Sequence, residues 1–160
     1  MIIAFAGHST ICRYEEILRE VKEQIQKNIN TAEQITCYVG GYGEFDDLCA
    51  HACKELKNNY PQIEIVYVTP YISLSKQSRN QQKINSGLYD TQLYPPLENV
   101  PPRFAISKRN EWIITNSDLV IAYVNHDFGG AYKSFCFAKR KKKKIINIYD
   151  IIKSKKANLE

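Results

Sequence analysis

Ile35-Thr36-Cys37-Tyr38-Val39-Gly40-Gly41-Tyr42-Gly43-Glu44-Phe45-Asp46 runs from a short β-rich segment, through a glycine turn, into the acidic start of a helix. Phe45, Leu48, Cys49, Ala52 and Leu56 continue that helix at amphipathic spacing, and Asn58-Asn59-Tyr60-Pro61 ends it. A largely apolar strand feeding a helix through a tight turn is the unit of a parallel sheet covered on both faces.

The same unit recurs outward in both directions. Upstream, Ile2–Ala6 reads as a buried strand, and Tyr14, Ile17, Leu18, Val21, Ile25 and Ile29 follow at helical period. Downstream come a strand at Ile63–Val68, a helix from about Phe104 to Asn116 and a strand at Leu119–Val124. A helix from about Gly130 to Lys142 and a strand at Ile145–Tyr149 complete the series. Right-handed crossovers turn this into a three-layer, Rossmann-like, doubly wound and mainly parallel α/β sheet. Residues 71–102 break the pattern with a polar run and two Pro-Pro pairs, which reads as a lid-like insertion with a short strand near Asp90–Tyr94. The expected organisation is one domain over 1–150, with a polar, frayed tail at 151–160.

Ligands of doubly wound sheets bind beyond the carboxyl ends of the strands, near the switch point. Three strands end there in small or glycine-bearing turns: Ala6-Gly7-His8-Ser9-Thr10, Gly40-Gly41-Tyr42-Gly43, and the turn through Asn125-His126-Asp127-Phe128 to Gly129-Gly130. Backbone N–H groups at such turns, together with a helix N-terminus, suit a phosphate. No Gly-Lys-Ser/Thr follows the glycines, and the glycine pair comes after the second strand. A Walker loop and the usual NAD fingerprint are therefore excluded. Candidate ligand-binding residues are Gly7, His8, Gly40, Gly41, Gly43, Asp46, Arg109, Gly129, Gly130 and Ser134. Arg109 is the candidate phosphate clamp. Tyr71 and Tyr132 are weaker candidates for stacking on a base, whereas Trp112 and Ile113 are expected in the core.

The chain has 160 residues, 44% apolar, 24% charged and a net charge of +5. That is enough for one folded domain burying roughly 70% of its unfolded surface. No apolar run approaches the roughly 20 residues that cross a bilayer, and the start lacks a basic signal-peptide region, so the expected location is cytoplasmic. Cys12, Cys37, Cys49, Cys53 and Cys136 form no CxxC pair and read as small core residues rather than metal ligands. Lys139-Arg140-Lys141-Lys142-Lys143-Lys144 reads as a solvated helix end, since cations complement the negative pole of the dipole. Neither a metal, a cofactor, a membrane nor nucleic acid is expected as a partner.

In their order and spacing, three motifs resemble the SLOG superfamily, which groups DprA-type and LOG-type Rossmann-like nucleotide-binding domains, and in particular its small stand-alone YpsA-like branch. They are Gly40-Gly41-Tyr42-Gly43-Glu44-Phe45-Asp46, Phe104-Ala105-Ile106-Ser107-Lys108-Arg109-Asn110-Glu111-Trp112, and Gly129-Gly130-Ala131-Tyr132-Lys133-Ser134. The resemblance implies a nucleotide pocket between the glycine turns and a homodimer. LOG-type enzymes of the superfamily cleave the N-glycosidic bond of a nucleoside 5′-monophosphate with an Arg and a Glu. Arg109 matches the Arg, but the residues after Gly129-Gly130 are Ala131-Tyr132-Lys133-Ser134-Phe135-Cys136, without the Glu. Glu44, Asp46 and Asp127 are the carboxylates that could stand in from other loops. The expectation is thus a ligand-binding sensor or regulatory module, with glycosidase activity as the alternative.

Overall fold

The computed structural model describes residues 1–160. Six strands form one parallel sheet: β1 (Ile2–Gly7), β2 (Ile35–Val39), β3 (Ile63–Val68), β4 (Thr91–Leu93), β5 (Leu119–Tyr123) and β6 (Lys144–Asn147). Their spatial order is β4-β3-β2-β1-β5-β6. The chain winds outward from β1 as far as β4, then crosses to the other side at β5. The switch point therefore lies between β1 and β5, where Gly7 pairs with Tyr123.

Helices α1 (Tyr14–Asn28), α2 (Glu44–Leu56), α3 (Leu74–Asn85), α4 (Ala105–Thr115), α5 (Gly129–Arg140) and α6 (Ile148–Ala157) complete the alternation. Side chains of period two divide the core between the two faces of the sheet. Ile3, Phe5, Ile63, Ile65, Leu119 and Ile121 join α1 and α2 residues in a large cluster. Ala4, Ala6, Val66, Val68 and Val120 meet Ile113 and Ile114 of α4 and Ala138 of α5 in a smaller one. No helix is long and apolar enough to cross a membrane.

Two segments differ from their expected form. Residues 71–102 do not interrupt the alternation but supply its fourth unit: α3, then β4 as the edge strand beside β3. Helix α3 lacks an apolar stripe, and Asn80 is its one buried residue. The Asn80 side chain donates to the Tyr71 carbonyl (2.9 Å) and accepts from the Thr69 hydroxyl (3.0 Å), so polar bonds rather than burial hold the helix. The segment after Asp150 is helical rather than frayed. Ile148 is fully buried, and Lys155 bonds Glu20 (2.7 Å) and Glu23 (2.9 Å) on α1.

Cys37, Cys49 and Cys53 are buried core residues of the larger cluster, whereas Cys12 is exposed and Cys136 half-buried. Ile113 is buried, and Trp112 packs beside it against Tyr38, with ring centroids 5.6 Å apart.

Candidate functional site

A cavity of about 370 Å³ opens at the carboxyl ends of β1, β2 and β5, walled by α4 and by the N-terminus of α5. Gly7, His8, Gly40, Asp46, Arg109, Gly129, Gly130 and Ser134 all line it. Residues as distant in the chain as Gly7 and Ser134 meet there because β1 and β5 are neighbours at the switch point.

Arg109 is the largest fully buried side chain of the protein, with 1% exposure. A lone buried guanidinium is costly unless its donors are spent. Nη1 donates to the Gly40 and Val68 carbonyls, at the ends of β2 and β3, and Nε donates to Asn110 Oδ1 (2.9 Å). Nη2 has no protein partner. Burial lowers the Arg109 pKa, and the Asp46 carboxylate is the first of the groups that oppose this.

Asp46 sits in the first turn of α2, where a carboxylate complements the helix dipole. Its Oδ2 accepts the Tyr42 N–H (3.0 Å). Desolvation pushes its pKa up to about 6, against the pull of Arg109 and of that hydrogen bond. Both side chains crowd Gly40. A Cβ there would stand 2.9 Å from Arg109 Cζ and 2.9 Å from Asp46 Oδ2, so only glycine lets the pair close over the β2 end.

On the opposite wall His8, 8% exposed, stacks on His126 at 3.6 Å and 9°, and His126 leans on Phe128 at 4.0 Å. His8 Nε2 accepts the Asn125 N–H (3.2 Å), so the neutral ring carries its proton on Nδ1. Burial and then His126 lower the His8 pKa, which keeps it neutral. Next to this stack α5 begins at Phe128-Gly129-Gly130-Ala131, with no side chain capping its free N–H groups. A Cβ at Gly129 or Gly130 would meet nothing within 4 Å, so that helix end is open to the cavity.

Two expected residues fall outside the cavity lining. Gly41 backs onto the Tyr67 ring and Gly43 onto the Ser9 backbone, both at positive φ (69° and 105°), and they shape the turn from behind. Of the carboxylates proposed to replace the missing Glu, only Asp46 lines the cavity, and Glu44 is engaged elsewhere by the Ile11 N–H (2.7 Å). Neither expected stacking tyrosine is present: Tyr71 borders the loops before α3 and Tyr132 a neighbouring cleft. The cavity's rings are instead Phe5, His8, Tyr42, His126 and Phe128. Tyr42 lies under Arg79 of α3 (4.0 Å) and near Arg109 (5.3 Å). His126 and Phe128 were legible as members of the loop after the fifth strand, but Tyr42 carried no signal beyond lying among the glycines.

No family model matches the sequence, and comparison with curated proteins finds no match. Solved structures do match. The X-ray structure of the protein TM1055 aligns with a TM-score of 0.57 at 12% identity, over 90% of this chain and 71% of that one. DNA processing protein A from Helicobacter pylori, which binds single-stranded DNA, aligns with a TM-score of 0.58 at 15% identity, over 97% of this chain and 72% of that one. The chain therefore has the Rossmann-like fold of the DprA and LOG-type proteins that its glycine motifs resemble.

Proposed function

We propose that the chain binds a nucleotide or nucleotide-derived ligand, with the phosphate at the N-terminus of α5 and the sugar toward Asp46 and Arg109, as a sensor or regulatory module. The observation that carries this reading is the uncapped α5 end, whose N–H donors and positive dipole pole border the cavity. The 40–43 turn is the poorer phosphate site. Its Tyr42 N–H is taken by Asp46, and Glu44, Asp46 and Asp47 make the start of α2 negative. Arg109 Nη2, without a protein partner, offers a donor to a phosphate or sugar oxygen. The test is a thermal-shift screen of nucleoside mono- and diphosphates, repeated on Gly130→Asp. A carboxylate placed in that open position competes with phosphate for the helix end. It should abolish the ligand-induced shift while changing the unliganded stability by less than about 1 kcal/mol. Unchanged ligand shifts in this variant would move the phosphate elsewhere.

One observation favours N-glycosidic cleavage as a second reading. Asp46 is a cavity carboxyl whose pKa, raised to about 6, suits proton transfer near neutral pH. Release of free base from a nucleoside monophosphate, lost in Asp46→Asn, would establish it. Single-stranded DNA, the partner of the Helicobacter pylori neighbour, is a third candidate. It would declare itself by affinity that falls steeply with salt.

A further inference from the structure

A second cleft of about 600 Å³ runs between α4 and α5. It is continuous with the first cavity, because Ile106, Asn110, Gly130 and Ser134 wall both. Its own lining is cationic: Arg103 on the 3-10 turn Pro102–Phe104, with Lys133 and Arg140 on α5. None of these cations makes an ion pair in the protein. The cleft's one carboxylate, Glu111, is held by Lys108 (2.8 Å). Arg103 lies 4.8 Å from the Phe104 ring centroid and Arg140 5.5 Å from that of Phe137. Ring contacts support a guanidinium while leaving its in-plane N–H donors for an anion. Unpaired like charges along one groove repel each other, and an anion bound between them relieves that repulsion.

We propose that this cleft is a second phosphate subsite, so that the ligand is a nucleotide carrying two separated phosphate groups, of the dinucleotide type, rather than a nucleoside monophosphate. The proposal rests on the reading of the first cavity as a nucleotide site. Gly130 lies on the boundary of the two spaces, so a phosphate at the α5 N-terminus has the cationic cleft directly beside it. A second phosphate joined through one sugar enters it without leaving the first.

Calorimetric titration of the whole chain with AMP and GMP, against the linear dinucleotides pApA and pGpG and a ten-nucleotide single strand, tests this. One dinucleotide should bind roughly tenfold or more tightly than its mononucleotide, the equivalent of one charge-assisted hydrogen bond. Lys133→Ala and Arg140→Ala, both at exposed positions, should each erase that advantage and leave mononucleotide affinity unchanged. Equal affinity for mono- and dinucleotides, or equal losses for both in the variants, overturns the subsite and spares the first cavity. A ten-nucleotide strand that binds far more tightly than the dinucleotides overturns it in favour of an extended nucleic-acid track. Absence of binding by every probe overturns both readings.

Discussion

Asp46 gives the site its pH dependence, and the sign follows from its environment. The folded carboxyl titrates near 6, whereas an unfolded one keeps its ordinary value of 3.8. Between these values the folded state holds the extra proton. The contribution of Asp46 to stability is therefore greatest below the unfolded value and is lost as pH rises through about 6. Asp46→Asn keeps an acceptor for the Tyr42 N–H and removes the titration. Its stability relative to the native protein should be lowest near pH 4 and rise as pH climbs to about 7, as read from urea midpoints at each pH. A flat difference would mean that the carboxyl is better solvated than its neighbours suggest. That Gly40, Asp46 and Arg109 belong to turns and a helix at one end of the sheet is legible in the sequence. What the sequence does not contain is that Arg109 reaches across to the β2 and β3 ends and closes against Gly40. That contact spans 69 positions and exists only once β3, β2 and α4 are assembled.

At the scale of elements, periodicity located those helices whose stability comes from burying one face. It missed α3 and α6 for different physical reasons. Helix α3 is polar along most of its length and is anchored through Asn80 to Thr69 and Tyr71 just before it, whereas the apolar first half of α6 follows β6 without a break and its polar second half is tied to the distant α1 by Lys155 and Lys156. Glu20, 4% exposed, depends on this arrangement, with Gln24 Nε2 (2.8 Å) its other side-chain partner. Lys155→Ala should lower the denaturation midpoint by more than loss of an ordinary surface pair would, because it leaves the buried Glu20 carboxylate under-bonded. Chemical denaturation measures that loss, and hydrogen exchange should show α6 opening well before the sheet. Lys155→Ala without a measurable effect would mean that Gln24 alone satisfies Glu20 and that Ile148 holds α6 in place.

The molecule as a whole keeps the basic run away from the first cavity, and of that run Arg140 alone lines the second cleft. Lys139–Lys144 joins α5 to β6, at the amino ends of parallel strands, whereas the cavity lies at their carboxyl ends. Part of the run is structural: Lys143 Nζ donates to the Thr115 (2.9 Å) and Ser117 (2.8 Å) carbonyls after α4, and Lys144 to Asn28 Oδ1 (2.7 Å). Replacing Lys139, Lys141 and Lys142 together by Gln should therefore leave mononucleotide-induced thermal shifts unchanged. Any parallel loss of nucleotide binding would place the ligand on the basic run. The apolar strands, the turns that close them and the period of the flanking helices determine a parallel sheet with a switch point, because each is a local property of consecutive residues. The tertiary structure alone decided which turn leaves its helix end free. The Ser9 carbonyl, carried in on the loop after β1, takes the Glu44 N–H at the start of α2 (2.9 Å), and no such partner reaches α5 at 129–131, a difference that arises from loops of neighbouring strands meeting at the end of the sheet.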